Sequence, residues 1–326
     1  MTPRVSVIIP LHRYTEVSRR CIETTLSLHS DLHEVLVVSD GEIDGLPPGV
    51  RALTTGSGAD TSPAEKRDLA LAHARGEICA FIDDDAWPAE DWLARALERF
   101  DSDPSIAAVG GPGVTPPDST FCARAGGAFY ESPLGSGSLR TRFVPSGSVV
   151  ETDDWPAYNL FIRRSVLNAV GGWSSRFYGG EDTKLCLALV EAGHRIVADP
   201  SVVVFHARRP IFLPHMRQVH NVGRHRGWFV RRYPRTSARP LYFVPSAALL
   251  AAPLVALWGL RGSRRRRRGL FAATAAGWVA ISTDAARRGA SNGVALILPA
   301  VLAAGHGAYG AGFIEGVVFT SEIHEM

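Results

Sequence analysis

Four short strand-like runs, Val5 to Ile9, Glu34 to Val38, Val50 to Thr54 and Ile78 to Ile82, alternate with segments of helical spacing as far as Phe100. That alternation confines the N-terminal part of the chain to an α/β sheet. Val5 to Ile9 is the kind of apolar run that a parallel strand covered on both faces requires. Tyr14 to Leu28 has helical spacing. Ser62-Pro63 opens a second helix, with Ser62 as cap, Pro63 in the first turn and Glu65 as the capping-box acid; it runs to about Ala74 and stops at Gly76. A third is expected from Ala89 to Phe100. The fold class expected is a Rossmann-like, doubly wound and mainly parallel sheet. In such sheets ligands bind beyond the carboxyl ends of the strands, so Asp40 and Asp83–Asp85 are expected to face one crevice. No G-x-G-x-x-G follows the first run, which argues against a dinucleotide-binding domain.

Gly110 to Gly147, rich in Gly, Pro and Ser, is expected to form long loops or a flexible flap. Order resumes with a strand at Ala157 to Ile162, a helix from Ser165, a break at Gly171-Gly172-Trp173, a helix from Glu181 to Ala192, and short strands at Arg195 to Ala198 and Val202 to Phe205.

Three consecutive aspartates at the end of an apolar strand are costly, because like charges so close repel. A divalent cation, Mg²⁺ or Mn²⁺, relieves that cost and can link protein carboxylates to a substrate's phosphates. A helix N-terminus accounts for one such acid but poorly for three.

From Leu241 the chain becomes rich in Ala, Leu, Val and Gly. The net charge is only +3, but basic residues crowd between Arg208 and Arg268. Because they abut apolar segments, a membrane surface fits them better than nucleic acid. Leu241 to Leu260 is long enough to span but holds Pro245 and Pro253, and both its flanks are basic, which favours one side of a membrane for both ends. A re-entrant or interfacial hairpin bent at Pro253 is expected there, with Gly269 to Thr283 and Gly293 to Val318 forming an out-and-back pair. The domains expected are 1–210 for the α/β unit, 211–240 for a basic juxtamembrane segment and 241–326 for membrane-associated helices. With four scattered cysteines without metal-ligand spacing and a strand that begins almost at the N-terminus, the α/β domain is expected in the cytoplasm, at the cell membrane.

The ordered set Ile8-Ile9-Pro10, Val37-Val38-Ser39-Asp40-Gly41, Ala74-Arg75-Gly76-Glu77, Phe81-Ile82-Asp83-Asp84-Asp85, Asn159 to Arg164, Gly171-Gly172-Trp173, Gly180-Glu181-Asp182 and Val204-Phe205-His206 resembles family 2 glycosyltransferases with the GT-A fold. The tail from His206 through Arg235 is similar to bacterial exopolysaccharide glucosyltransferases of the succinoglycan type.

The resemblance implies a nucleotide-diphosphate sugar donor, a divalent metal, and an acceptor that is a polyprenyl-phosphate-linked sugar or a glycan. Asp85 is implied as direct metal ligand, Asp83 as metal-side and ribose-side acid, and His206 as a further metal ligand. Pro10, Asp40, Arg67, Asp83 and Asp84 fall to the donor, Asp40 at the nucleobase. Ser39 stands where many members have a second Asp, and Lys66-Arg67-Asp68 where members often have Ala-Arg-Asn. An inverting displacement needs a base for the acceptor hydroxyl. Asp182 matches that position, with Glu181 as an acceptor-orienting neighbour; helix capping could also account for both acids. Gln218 and Trp228 lack the spacing of processive synthases, so one sugar per acceptor is expected. A sugar nucleotidyltransferase should carry a Gly-rich loop where Pro10-Leu11-His12-Arg13-Tyr14 stands, and an inactive nucleotide-sugar-binding scaffold should have lost one of the two acidic sites.

Overall fold

The structure, a computed structural model, describes residues 3–28, 33–57, 60–175 and 179–320. In chain order the elements are β1 (Val5–Pro10), α1 (Glu16–Leu26), β2 (His33–Ser39), β3 (Val50–Thr54), α2 (Pro63–His73), β4 (Ile78–Ile82), β5 (Ala86–Pro88), α3 (Trp92–Ser102), β6 (Ile106–Gly110), β7 (Gly113–Val114), α4 (Phe121–Glu131) and α5 (Pro133–Ser136). There follow β8 (Val150–Thr152), β9 (Asn159–Arg163), α6 (Arg164–Ala169), α7 (Glu181–Glu191), β10 (Arg195–Ala198), β11 (Val204–His206), α8 (Leu213–Arg232), α9 (Pro234–Ser237), α10 (Pro240–Leu260), α11 (Arg264–Arg287) and α12 (Asn292–Val318). They fall into two compact units, one of residues 3–116 with 141–207 and one of residues 117–140 with 208–320.

The first unit is built on an eight-stranded sheet of order β3-β2-β1-β4-β9-β6-β10-β8. β3, β2, β1 and β4 are parallel, as their apolar runs and intervening helices require. β9 lies antiparallel between β4 and β6, so the mainly parallel sheet that was expected also carries an antiparallel strand in its interior. Its Leu160-Phe161-Ile162 run is buried on both faces like its neighbours, and burial alone carries no information about strand direction. One face of the sheet packs on α1 and α3 through Val7, Ile9, Cys21, Trp92 and Phe100, the other through Ile8, Phe81, Leu167, Trp173 and Leu189. A second sheet, β5-β11-β7, forms beside it. It takes up Ala86–Pro88, so the helix expected from Ala89 begins only at Trp92.

The helix at Ser62 starts as its residues dictate: the Ser62 side chain accepts from Glu65 N–H, Glu65 reaches back to Ser62 N–H, and Pro63 fills the first turn. Its far end leads into a tight crossing, where Gly76 lies on β1. The Ser6 hydroxyl accepts from Arg75 N–H (3.1 Å) and Gly76 N–H (2.9 Å) and donates to Glu34 (2.7 Å).

The second unit holds the clearest departure from expectation. Residues 110–147 are not long loops: they include β7, α4, α5 and a 3₁₀ turn at Gly137–Arg142. Thr120 caps α4, and a side chain at Gly126 would stand 2.6 Å from the Arg209 carbonyl, so this glycine serves close packing rather than a turn. Packing of this kind outweighs the poor helix propensity of glycine.

α8 and α12 meet along a reciprocal glycine seam. A Cβ at Gly223 or Gly227 would lie 2.3 or 2.2 Å from the carbonyls of Tyr309 or Phe313, and one at Gly312 or Gly316 would lie 2.1 or 2.0 Å from those of His220 or Arg224. The partners advance together along both helices, so the two run parallel. Ala125, Ala128 and Phe129 of α4 pack on Val294, Leu298 and Leu302 of α12.

α10 is unbroken through Pro245 and Pro253, so no hairpin forms at Pro253. α10 and α12 are long and apolar enough to cross a membrane; α11 is not among the described helices that meet that measure.

The Gly76 crossing is testable. A Cβ there would come within 2.5 Å of the Ser6 backbone nitrogen, whereas nothing lies within 4 Å of one at Gly41. Gly76→Ala should cost about 1–3 kcal/mol through the backbone shift it forces, seen as an earlier thermal or urea transition of the detergent-solubilised chain, with Gly41→Ala close to neutral.

Candidate active site

The carboxyl ends of β1, β2 and β4 bring Pro10, Asp40 and Asp83–Asp85 to one edge of the sheet, as expected of a parallel arrangement. The three adjacent aspartates do not share a single environment. Asp83 accepts from the Arg67 guanidinium at 2.7 Å. Asp84 accepts from the His12 backbone N–H at 3.1 Å, tying the segment after β1 to the end of β4. Asp85 faces His206, with Oδ1 and Nε2 3.1 Å apart. Mutual repulsion is thus reduced by giving each carboxylate its own partner.

The register of the small sheet sets the Asp85–His206 pair. His206 lies opposite Ala86 in the β5–β11 ladder, and the next N–H, of Ala207, donates to the Asp85 carbonyl at 2.9 Å. The imidazole is flanked by the Tyr158 ring, 4.6 Å between centroids, and Tyr158 is itself fixed by its hydroxyl donating to the Arg142 carbonyl at 2.6 Å. Two donor atoms bound side by side to one Mn²⁺- or Mg²⁺-sized ion, each at about 2.1 Å, sit about 3 Å apart. The carboxylate–imidazole pair fits that geometry, and its chemistry suits Mn²⁺.

A different trio, His12, Asp40 and Asp60, also lies close enough to share a cation. It is the weaker candidate. His12 and Asp60 are exposed, and Asp40 already accepts from Lys66 Nζ (2.7 Å), Thr61 N–H (3.1 Å) and the Thr61 hydroxyl. A cation there would face the Lys66 ammonium. Burial alone would raise the Asp40 carboxyl; the Lys66 ammonium and the Thr61 donors more than offset it and hold it below the usual carboxylate range. Lys66, only 3% exposed, also donates to the Leu11 carbonyl at 3.0 Å, next to Pro10.

Arg67 differs most from its expected place. Only 2% exposed, it donates to Asp83 and, at 3.1 Å, to Glu181, and its guanidinium stacks on Trp173 at 4.5 Å. It is not presented to solvent as a donor contact; it clamps the end of β4 to the start of α7. Burial would lower its pKa, but Asp83 and Glu181 raise it overall, so the group stays charged. The next residue, Asp68, receives the N–H groups of Trp173 (2.8 Å) and Ser174 (3.0 Å), and burial pushes its carboxyl upward. Three successive residues of α2 thereby fix three different segments of the site.

α7 begins at Gly180, whose φ of 86° suits glycine. Glu181 is buried and divided between Arg67 and the Gly179 N–H at 2.9 Å, which makes it a structural acid. Asp182 is half-buried, and one of its oxygens accepts from Thr183 N–H at 2.7 Å.

The sequence alone gave no role to Lys66 or Asp68 and did not single out Tyr158. One signal was present: Ala64, Arg67 and Ala70 recur at helical spacing, which places the arginine on the apolar face of α2.

Comparison with known proteins agrees with this geometry. The family model Glycosyl transferase family 2 matches residues 6–167. The chain is 29% identical over 213 residues to a pre-mycofactocin glycosyltransferase of Mycobacterium tuberculosis, covering 63% of this chain and 43% of that protein. It is 25% identical over 217 residues to the succinoglycan biosynthesis protein ExoO of Rhizobium meliloti, covering 63% and 61%. The chain thus spans less than two thirds of the length of either relative. The mannosyltransferase PcManGT of Pyrobaculum calidifontis, solved in complex with GDP-Man and Mn²⁺, shares the fold with a TM-score of 0.65 at 21% identity, over 98% of this chain and 88% of that one. With its GT-A sheet and its sequence matches, the chain carries a glycosyl transferase family 2 domain over residues 6–167.

Proposed function

We propose that this protein is an inverting glycosyltransferase that moves a sugar from a nucleotide-diphosphate donor to a lipid-linked or polysaccharide acceptor, the first unit being catalytic and the second holding it at the cytoplasmic membrane face. The observation that carries this reading is the convergence of Asp85 and His206 beside an acidic strand end that Arg67 ties to the Glu181–Asp182 helix start. Asp85 and His206 would hold a divalent ion, which would supply Lewis-acid stabilisation to the departing diphosphate.

The chain's own residues do the rest. Pro10 and Asp40, braced by Lys66, border the place for the nucleobase, and Asp84 holds the loop at His12. Asp182 takes the proton from the acceptor hydroxyl as its oxygen attacks the anomeric carbon, and the bond to the diphosphate breaks on the opposite side. Glu181 and Arg67 hold that base in place. The relatives' names, a pre-mycofactocin glycosyltransferase and a succinoglycan biosynthesis protein among them, support the reaction type rather than one substrate.

Three outcomes test this. Purified, detergent-solubilised protein should slowly release nucleoside diphosphate from one member of a UDP-, GDP- and dTDP-sugar panel with Mn²⁺; EDTA or Asp85→Asn should abolish the release. If calorimetry finds no nucleotide-diphosphate binding with any metal, the reading is wrong. Asp182→Asn should bind donor as the parent does while transfer falls by about 10²–10⁴-fold; full transfer activity in that variant would remove Asp182 as base. Arg67→Met leaves two carboxylates without their cation and should cost about 3–5 kcal/mol of stability, read by chemical denaturation, with a loss of donor binding.

A further inference from the structure

α10 and α12 both have the length and apolarity of membrane spans, yet their surroundings differ. α10 is 11% buried over its apolar window, and Leu250, Leu254, Trp258 and Leu260 are open. α12 is 44% buried over its own, and what buries it is informative. Its C-terminal half lies along the glycine seam against α8, a helix that carries five arginines and three histidines among its 20 residues. Near that end Glu315 meets His220 at 3.2 Å and Arg224 at 3.7 Å, and Arg231 donates to the Val317 carbonyl at 3.2 Å. A helix so charged does not share hydrocarbon with a spanning neighbour. α12 therefore has the setting of a core strut.

The charges around α10 point the same way. Arg231, Arg232, Arg235 and Arg239 precede it, and Arg261 and Arg264–Arg268 follow it. A crossing would carry one of these clusters over the membrane, against the retention of basic segments on one side. Each end of α10 also pairs an aromatic ring with an arginine: Tyr242 with Arg226 at 5.1 Å and Trp258 with Arg266 at 4.3 Å. Trp258, 55% exposed, suits headgroup depth, whereas Tyr242 is buried within the protein. α11 adds Phe271, 77% exposed, and Val279, 63% exposed, just beyond the arginine block.

Resting on the membrane attachment proposed above, we infer that the second unit is monotopic: α10 and α11 lie in one leaflet of an anionic bilayer, Arg231–Arg239 and Arg261–Arg268 engage its acidic headgroups, and no helix crosses. The exposed apolar side chains of α10 and α11 supply the hydrophobic contact and the flanking arginines the electrostatic one, the two-signal combination that stable peripheral binding requires.

Topology is tested with the full chain in sealed vesicles of both orientations, using a membrane-impermeant maleimide. Cys122→Ser removes the exposed native thiol, and the other native cysteines are buried. Single cysteines are then placed at Arg261→Cys, Ser291→Cys and, as reference on the first unit, Ser102→Cys; all three positions are exposed. All three should label from one face only. Labelling of Arg261→Cys or Ser291→Cys from the opposite face to Ser102→Cys means that a helix crosses, and overturns the inference while leaving membrane attachment intact. In flotation, the protein should rise with phosphatidylcholine–phosphatidylglycerol liposomes, and replacing Arg264–Arg268 by glutamine should weaken this by about tenfold or more. Equal flotation on pure phosphatidylcholine removes the anionic requirement, and failure to float on either, or to pellet with the vesicles, removes both this inference and the membrane attachment beneath it.

Discussion

The site depends on one buried cation. Arg67 sits at 2% exposure between Asp83 and Glu181, which come from opposite parts of the first unit's sequence. Isolated burial of any of these charges is prohibitive; together they are tolerated because each satisfies another. The stacking on Trp173, which packs edge-on against Phe81 at 4.9 Å, fixes the guanidinium in a rigid wall of the sheet. The spacing between the end of β4 and the start of α7 is thus set by one side chain that bonds to both.

α2 extends the same logic. Lys66 braces Asp40, Arg67 braces Asp83 and Glu181, and Asp68 braces the Gly172–Ser174 turn. The capping box at Ser62 and the tight crossing at Gly76 hold the two ends of that helix, so elements that look like local folding devices also set the position of the site. This is how a surface of opposed charges can stay in one arrangement before any ligand arrives.

Much of this was visible in the residues. The β1–α1–β2–β3–α2–β4 order, the start of α2 and the placement of Asp40 and Asp83–Asp85 at strand ends follow from apolar runs, caps and the parallel-sheet rule. The antiparallel β9 was not visible, because Leu160-Phe161-Ile162 is apolar in either direction. α4 was not visible, because its glycines signal flexibility unless the carbonyl packed against them is known. Arg67 was assigned to the donor by the resemblance of Lys66-Arg67-Asp68 to the family's motif; its pairing with Glu181 depends on a residue more than a hundred positions away. Legibility failed where meaning came from a distant partner.

The division of the chain has a consequence for its synthesis. Residues 117–140 belong with 208–320, although they are made between two portions of the first unit. As the chain emerges, α4 must wait for α12, which is completed only near its end, to cover Ala125, Ala128 and Phe129. The first unit, meanwhile, closes when β10 and β11 arrive. For that interval α4 is an uncovered apolar insertion in a nearly finished domain. A nascent chain in this condition is a natural client for a chaperone or a nearby lipid surface, and a single cut after Ala207 would leave the first unit carrying residues 117–140 and the second without them.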